Sequence, residues 1–264
     1  MKVISKLLID LDGVLFVGDW LIPGAIEALQ YLEKNNYEYI LLTNITRMPK
    51  QKILRKLNGM GIFVDSERIM SAPSATVDYI MSQKKNAKCY LLSPKETDDD
   101  FRDSGILITR EEESVDFVVV GYDTNINYES LNIAFRLIQN GAEIVGMHED
   151  KIFPGKPKNN IGLGPFVKCL EFGTSKRAQI IGKPNRNFFE LGMKKMSATT
   201  NETAMIGDSL IQDIIGAKNA GLKTIMVKTG GYDEHELETS SIKPDYLINS
   251  IKDLPEFLKH VNNN

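Results

Sequence analysis

Short apolar runs alternate with segments of helical periodicity along most of the chain. Runs typical of strands occupy residues 7–9, 39–42, 90–92, 117–121, 143–146, 178–182, 203–207, 223–227 and 246–249. Helical patterns occupy residues 25–33, 50–57, 74–81, 128–141, 187–196, 214–221 and 251–261. Because strands and helices alternate, the pattern predicts an α/β fold in which helices cover parallel sheets.

The first strand pattern ends in two carboxylates, Asp10 and Asp12. Burying a charge is costly, so either the chain leaves the core at Asp10 or a positive charge meets the carboxylate there. In open parallel sheets, ligands bind beyond the carboxyl ends of the strands. Polar residues that directly follow apolar runs are therefore candidates for a functional site.

Three further strand patterns end in polar residues of this kind. They are followed by Thr43 and Asn44, by the segment 182–185 that contains Lys183, and by Asp208 and Ser209 with Asp213 nearby. Each place by itself is also consistent with a turn or a helix cap, where Gly, Asn, Asp and Ser are common. Four such places together favour a functional site.

The residue types at these places suit phosphoryl transfer through an aspartate. Asp10 is placed to attack phosphorus and form an acyl phosphate, which splits one hydrolysis into two easier steps. A carboxylate repels a phosphate dianion, so a hard dication is needed, and Asp10 and Asp208 supply the oxygen ligands that suit Mg²⁺. Asp12 can protonate the leaving oxygen and later accept a proton from the attacking water.

The remaining residues fit phosphate binding. Thr43 offers a hydroxyl donor, and Asn44 an amide donor, to the phosphate oxygens. Lys183 supplies positive charge as negative charge develops in the transition state. Gly13 permits a sharp turn without a Cβ close to the phosphate. Substrate contacts are therefore expected from Gly13, Thr43, Asn44 and Lys183, together with Asp12.

Composition narrows the class of protein. The 264 residues are 42% hydrophobic and 25% charged, with a net charge of -3, which is the profile of a soluble globular protein. This charge predicts no attraction to nucleic acid or to an anionic membrane. No apolar run approaches the roughly 20 residues of a membrane span. Because Asp10 and Asp12 interrupt the first apolar run, it does not fit a secretory signal, and a cytoplasmic location is predicted.

Four single residues are interpreted as structural. Cys89 and Cys169 lie far apart in apolar surroundings, so both are predicted to be reduced thiols in the core. Trp20 and Tyr122 carry weak signals and are interpreted as packing residues. None of the four is expected to take part in chemistry.

The segments DLDGV (10–14), LTN (42–44), GKPN (182–185) and GDSLIQD (207–213) occur in the order of the four motifs of the haloacid dehalogenase-like hydrolase superfamily, which they resemble. The resemblance extends over nearly the whole chain and points to the branch of NagD and the p-nitrophenylphosphatases. It implies a magnesium-dependent phosphatase with a Rossmann-like, three-layer core built on a parallel sheet.

An inserted domain is expected between the second and third motifs. Roughly 140 residues separate Thr43 from Lys183, far more than one strand-helix connection needs. The resemblance implies that this stretch contains an α/β cap domain of the C2 type. The predicted domains are a discontinuous core, residues 1–80 and 180–264, and a cap, residues 81–179. A homodimer formed through the cap is left open.

The resemblance also implies roles for single residues. Asp208 would be a metal ligand, together with Asp10. Asp12 would serve as acid and base through its side chain and as a metal ligand through its backbone carbonyl. Ser209 and Asp213 would support these residues without touching the substrate.

One segment departs from the pattern of the branch. Many NagD-like members carry a TNPD-type sequence after the strand that corresponds to residues 143–146, where this chain has MHEDKIFPGK (147–156). The difference weakens any transfer of specificity from sugar-phosphate or nucleotide members. His148 is the candidate in this loop for contacting substrate, although a solvated side chain is the commoner state of a lone loop histidine.

Two alternatives to hydrolysis remain open. A phosphotransferase or phosphomutase would keep every motif and differ only in the acceptor of the phosphoryl group. A non-catalytic phosphoacceptor module would also phosphorylate an aspartate, but its acidic pair would precede that residue on another strand, in a far shorter chain. The sequence favours hydrolysis of a small phosphorylated metabolite, with p-nitrophenyl phosphate as a generic substrate.

Overall fold

The computed structural model describes residues 3–153 and 158–263. Residues 154–156, the end of the segment that departs from the NagD-like pattern, lie outside the described residues. Among the helices of the described part of the chain, none combines the length and the apolarity that a bilayer crossing requires.

The strands and helices follow the predicted alternation. The strands are β1 (Lys6–Asp10), β2 (Phe16–Val17), β3 (Trp20–Leu21), β4 (Glu38–Thr43), β5 (Ile69–Ser71), β6 (Lys88–Leu92), β7 (Leu107–Thr109), β8 (Phe117–Val120), β9 (Glu143–Gly146), β10 (Ile152–Phe153), β11 (Asn160–Ile161), β12 (Gln179–Ile180), β13 (Thr203–Gly207), β14 (Lys223–Val227) and β15 (Tyr246–Ile248). The helices are α1 (Ala25–Lys34), α2 (Lys50–Gly59), α3 (Ala72–Gln83), α4 (Asp98–Arg102), α5 (Tyr128–Gln139), α6 (Gly164–Thr174), α7 (Arg186–Lys195), α8 (Gly216–Asn219), α9 (Glu234–Thr239) and α10 (Leu254–Asn263).

The larger sheet has six strands in the order β15-β14-β13-β1-β4-β5. Strand β1 pairs in parallel with β13 on one side and with β4 on the other. Later strands therefore extend from β1 in two directions. A sheet wound in this way has a crevice at the carboxyl edge where the direction reverses, which here is at β1 and β13.

Burial explains why the first apolar run is a strand at the centre of this sheet. Leu7, Leu8 and Ile9 are fully buried, as expected for a parallel strand that is covered on both faces. Helix α1 buries Ala25, Ala28, Leu29 and Leu32, a spacing that places these side chains on one face of a helix. In both elements, the side chains that are buried are the ones that the apolar pattern of the sequence indicates.

The second sheet has five strands in the order β12-β9-β8-β6-β7. Its neighbouring strands all pair in parallel. The first of these strands in the chain, β6, again has later strands on both sides, which is the flavodoxin-like order. The predicted α/β fold, with a parallel-sheet core and a second parallel α/β sheet inserted into it, is confirmed.

The described residues fall into two compact units by their internal contacts. The first unit comprises those of Met1–Thr43, Leu54–Met70 and Lys183–Asn264, and the second comprises those of Asn44–Ile53 and Ser71–Gly182. The six-stranded sheet lies almost wholly in the first unit and the five-stranded sheet in the second. The assignment of a cap to residues 81–179 stays a prediction.

Three of the four polar places follow strands of the six-stranded sheet, and the fourth follows a strand of the other sheet. Strand β12, which precedes Lys183, pairs with β9 of the five-stranded sheet. An apolar run marks a strand but does not show which sheet it joins, because pairing depends on residues far away in the chain. The second unit ends at Gly182, and Lys183 is the first residue of the last segment of the first unit.

Two of the four structural interpretations are wrong. Trp20 is 81% exposed and does not pack in the core. Cys169 is exposed, whereas Cys89 is buried as predicted. Tyr122 is buried, which confirms its interpretation as a packing residue. Local composition cannot show which face of an element turns outward, and both errors are of this kind.

Candidate active site

Asp10 and Asp208 come together because their strands are neighbours. Asp10 is the last residue of β1, and Asp208 directly follows β13. In the parallel pair Ile9 lies opposite Ile206, so the two chains reach the carboxyl edge at nearly the same level. Each of the two aspartates is only 7% exposed. The register therefore places two buried carboxylates at the crevice of the six-stranded sheet.

Asp213 joins this pair from a π-helical turn, Leu210–Ile215, which Ser209 caps. Its side chain is fully buried, and Oδ2 accepts a hydrogen bond of 3.1 Å from the backbone N–H of Ser209. Carboxylate oxygens of Asp10, Asp208 and Asp213 lie within 4.8 Å of one another. Among the described residues, no other group of three or more Asp, Glu, His or Cys side chains has this spacing.

Lys183 is the buried cation of the cluster. Its Nζ lies 2.7 Å from Asp10 Oδ1 and 2.7 Å from Asp213 Oδ1, and donates a hydrogen bond to each. Burial alone would lower the pKa of Lys183, but the two carboxylates outweigh that effect and raise it. Lys183 is therefore a fixed positive charge, which answers the question raised by the charged end of the first strand.

The carboxylates still outnumber the cation. Three ionised carboxylates and one ammonium leave a net charge of -2 in the cluster. Burial raises the pKa of Asp10 well above its usual value; Lys183 opposes this effect, while the charges of Asp213 and Asp208 add to it. Burial, reinforced by Asp213, also raises the pKa of Asp208 to about 6. A divalent cation fits this donor set, because it supplies the missing charge and accepts oxygen ligands.

Glycine backbone surrounds Asp208 on two sides. Gly13 and Gly230 both have positive φ, +89° and +59°, and a Cβ on either residue would overlap the Asp208 carboxylate. The backbone N–H of Gly231 donates to Asp208 Oδ2 at 2.5 Å, and the Thr229 hydroxyl donates to the Gly13 carbonyl at 2.5 Å. Sequence reasoning missed Thr229, Gly230 and Gly231; their signal is a glycine pair shortly after the apolar run of β14.

Three other predicted site residues, Asp12, Thr43 and Asn44, differ in their exposure to solvent. Asp12 is exposed, in contrast to Asp10. Partial loss of water raises the pKa of Asp12, and backbone N–H groups of Gly18 and Gly13 oppose that rise. Thr43 ends β4, next to β1, and is 2% exposed. Asn44 follows it and is half-buried.

His148 is not solvated, so the commoner state of a loop histidine is the wrong expectation here. The side chain follows β9 of the five-stranded sheet and is buried. Burial lowers its pKa, and the Asp150 carboxylate, whose Oδ2 lies 3.1 Å from Nδ1, opposes that effect. The local sequence is polar and gave no sign of this burial, because packing from distant segments produces it.

Comparisons with known proteins agree with the fold. A family profile described as haloacid dehalogenase-like hydrolase matches residues 7–107, and a second, described as HAD-hydrolase-like, matches residues 180–254. The acid sugar phosphatase of Staphylococcus saprophyticus is 30% identical over 261 residues, which cover 99% of each chain. Haloacid dehalogenase-like hydrolase domain-containing protein 2 of Bos taurus is 32% identical, over 88% of this chain and 86% of the bovine protein.

A solved structure of a phosphatase is also similar to this chain. The 4-nitrophenylphosphatase of Thermotoga maritima superimposes with a TM-score of 0.89 at 29% identity, over 96% of this chain and 97% of that protein. The chain belongs to the haloacid dehalogenase-like hydrolases. Within them it is a phosphatase-type enzyme of the NagD and p-nitrophenylphosphatase branch, with the C2 type of inserted sheet.

Proposed function

We propose that the chain is a magnesium-dependent phosphatase that hydrolyses a small phosphorylated metabolite through a phosphoaspartate on Asp10. The observation that carries the proposal is the buried contact of 2.7 Å between Lys183 Nζ and Asp10 Oδ1, beside two further carboxylates. The names of two similar proteins, an acid sugar phosphatase and a 4-nitrophenylphosphatase, support a phosphate ester as the substrate.

Asp10 is proposed as the nucleophile because its two oxygens have different surroundings. Oδ1 is engaged by the hydrogen bond from Lys183, so Oδ2 is proposed as the attacking oxygen. Oδ2 attacks phosphorus, the bond from phosphorus to the leaving oxygen breaks, and Asp12 gives that oxygen a proton. Water then attacks the phosphorus of the acyl phosphate and gives a proton to Asp12, which releases inorganic phosphate and restores Asp10.

Mg²⁺ held by Asp10, Asp208 and the backbone carbonyl of Asp12 would supply the positive charge that lets a carboxylate and a phosphate approach each other. Asp213 is proposed to support the site and not to touch the substrate, because its oxygens already accept from Lys183 and Ser209. Ser209 holds Asp213 in this position through its backbone N–H. Thr43, Asn44 and Lys183 are proposed to bind the phosphate oxygens, and Gly13 to keep the backbone clear of them.

The test is release of inorganic phosphate from p-nitrophenyl phosphate, with Mg²⁺ and with EDTA. We expect activity with Mg²⁺, its loss in EDTA, and its loss in Asp10→Asn. The exposed Asp103 supplies a matched control, since Asp103→Asn should retain activity. Activity of Asp10→Asn equal to that of the unchanged chain would contradict the mechanism.

Product analysis separates hydrolysis from phosphoryl transfer. Hydrolysis releases one inorganic phosphate for each nitrophenol, whereas a phosphotransferase or phosphomutase leaves phosphate on an organic acceptor. The remaining expectations stay predictions: a core of residues 1–80 and 180–264 with a cap of residues 81–179, a cytoplasmic location, a homodimer formed through the cap, and no nucleic-acid or membrane partner.

A further inference from the structure

A tight turn, residues 229–232, follows strand β14 of the first unit. A hydrogen bond of 3.1 Å from the backbone N–H of Tyr232 to the carbonyl of Thr229 closes it. Gly230, its second residue, has φ +59°, and turns of types I′ and II′ require a positive φ at this position. Tyr232 packs against a buried apolar cluster formed by Leu210, Ile214 and Met226. The turn is therefore anchored to the core of the first unit.

This turn makes two hydrogen bonds to the candidate active site. The Thr229 hydroxyl donates to the carbonyl of Gly13 at 2.5 Å, and the backbone N–H of Gly231 donates to Asp208 Oδ2 at 2.5 Å. Gly13 lies in the loop that follows β1, and Asp208 directly follows β13. Because β13 lies between β1 and β14 in the sheet, the turn reaches across the end of β13 to the loop from β1. One short segment thus contacts both stretches that contain proposed metal ligands.

The contact between the turn and the loop after β1 leaves no room for a side chain. A Cβ on Gly230 would overlap both the Cα of Gly13 and the carboxylate of Asp208. Only a movement of backbone could relieve this overlap, because the Gly13 atom is main chain and the Asp208 side chain is short and buried. The close packing therefore fixes where the Asp208 carboxylate lies relative to Gly13 and to the preceding residue, Asp12.

We infer that the turn at residues 229–232 positions the metal ligands and that Thr229 and Gly231 are its positioning residues. This inference rests on the metal site of the proposed function, in which Asp208 and the backbone carbonyl of Asp12 bind Mg²⁺. The Gly231 N–H fixes the rotation of the Asp208 carboxylate, and Thr229 holds the carbonyl that follows that of Asp12. Loss of a group that orients metal ligands typically weakens metal binding by roughly 10- to 100-fold.

Thr229→Val tests the inference, because valine has nearly the shape of threonine but lacks the hydroxyl donor. Calorimetric titration with Mg²⁺, without substrate, should show an affinity that is weaker by roughly tenfold or more. Thr229→Ser retains the donor and should restore most of the affinity. At saturating Mg²⁺ the KM for p-nitrophenyl phosphate should change little in either variant, because no residue of the turn is proposed to touch the substrate.

Thr203 provides a matched control in the same unit. Its hydroxyl also donates to a backbone carbonyl, that of Thr199, at 2.6 Å. Thr203 begins β13, whereas Asp208 follows the other end of that strand. Urea denaturation in EDTA establishes that both valine variants are folded, and the Mg²⁺ affinity should fall only in Thr229→Val. Equal Mg²⁺ affinities in folded Thr229→Val and Thr203→Val overturn the inference.

Gly230→Ala gives a second test that does not depend on the hydroxyl. Its control is Gly221→Ala, because Gly221 lies in the same unit and has φ +82°, but a Cβ there would meet only Thr200 Cγ2, at 3.7 Å. Both alanines have the strain of a left-handed backbone, but only the alanine at position 230 would push Asp208 away from Gly13. The Mg²⁺ affinity should therefore fall in Gly230→Ala alone, and equal affinities in the two folded variants overturn the inference.

Measuring Mg²⁺ binding without turnover separates this inference from the proposed function. If Thr229→Val weakens Mg²⁺ binding but the unchanged chain releases no phosphate, the proposed function fails and the inference stands. Phosphate release that depends on Mg²⁺, together with an unchanged Mg²⁺ affinity in Thr229→Val, overturns the inference alone. If the unchanged chain binds no Mg²⁺, both fail.

Discussion

The two parallel sheets have similar topology and different carboxyl edges. In each, the first strand has later strands on both sides, so each has an edge of the kind at which ligands bind. At the edge of the six-stranded sheet, Asp10, Asp208 and Asp213 surround the buried ammonium of Lys183. At the edge of the five-stranded sheet, the described residues include no such carboxylate cluster; Tyr122 and His148 lie there instead.

The difference shows that topology provides a place for a site and that residue types decide its chemistry. The first edge has charge and hydrogen-bond geometry suited to a reaction on phosphate. The second has the buried side chains of Tyr122 and His148 and, among its described residues, no cluster of carboxylates. The predictions below test this division, beginning with the largest expected effect.

The strongest contrast is between a buried and an exposed ion pair of equal length. Lys183 Nζ and Asp10 Oδ1 are 2.7 Å apart at the first edge, and Lys84 Nζ and Asp116 Oδ1 are 2.7 Å apart on the surface of the second unit. Lys183→Met should lower the free energy of unfolding by about 3–5 kcal/mol, because it leaves buried carboxylates without their cation. Lys84→Met should lower it by less than about 1 kcal/mol.

Chemical denaturation in EDTA measures both values, and phosphate release is measured alongside. Phosphate release should be lost in Lys183→Met and retained in Lys84→Met. Equal losses of stability in the two variants would contradict the special role of the buried pair.

Asp12 tests whether the exposed carboxylate at the first edge moves protons. Asp12→Asn should slow turnover by roughly a hundredfold, the usual scale for a lost general acid or base. Mg²⁺ binding should persist, because only the backbone carbonyl of Asp12 is proposed as a ligand. Steady-state kinetics and calorimetric titration with Mg²⁺ measure the two properties, and an unaltered rate would exclude this role for Asp12.

Gly13 and Gly105 have similar backbone angles but different surroundings. Substituting each by alanine therefore separates the cost of steric overlap from the cost of backbone strain. Gly13 has φ +89° and Gly105 has φ +81°, but a Cβ on Gly13 would overlap the Asp208 carboxylate, whereas nothing lies within 4 Å of a Cβ on Gly105. Gly105→Ala should cost about 1–2 kcal/mol from the left-handed backbone alone. Gly13→Ala should cost a further 1–3 kcal/mol or so, the scale of overpacking, and should weaken Mg²⁺ binding.

Urea denaturation and Mg²⁺ titration of the two variants provide the measurement. Equal losses of stability and equal Mg²⁺ affinities in Gly13→Ala and Gly105→Ala would contradict a role for the close approach of the Gly13 backbone to Asp208.

The smallest effect concerns pH. Without metal, the pKa of Asp208 is about 6 in the folded chain, against about 3.9 for an unperturbed aspartate. Its contribution to stability is therefore present below the unfolded value and is lost as pH rises through about 6. Mg²⁺ is proposed to bind the ionised carboxylate, so its affinity should be roughly tenfold weaker at pH 5 than at pH 7.5.

Thermal melts with and without Mg²⁺ at the two pH values test this expectation. The rise in melting temperature caused by Mg²⁺ should be larger at pH 7.5. An equal rise at pH 5 would show that protons and the metal do not compete at this site.

The sequence predicted best what depends on local pattern. The apolar runs before Asp10, Thr43 and Asp208 each became strands of the larger sheet, and neighbouring parallel strands brought their carboxyl ends together. The left-handed backbone of Gly13 also agrees with the sharp turn expected there. Such features follow from residues that are adjacent in the chain, so one sequence contains them.

The rest depends on contacts between distant segments. The burial of His148 and the exposure of Trp20 are decided by what packs against each residue, which no local pattern records. The pairing of β12 with β9 is of the same kind. The contacts of Arg47 with Tyr122 and Phe153 join three separate stretches of the chain. The resemblance to a family predicted the inserted sheet but not these contacts.

The central claim is that Asp10 becomes phosphorylated during turnover. The most direct measurement is peptide mass spectrometry of a reaction with p-nitrophenyl phosphate and Mg²⁺ that is quenched in acid during the first turnover. We expect one phosphoryl group on the peptide that contains Asp10, and none on that peptide from Asp10→Asn. Rapid phosphate release from the unchanged chain with no phosphoryl group on that peptide at any quench time, or with the group on another residue, would contradict the claim.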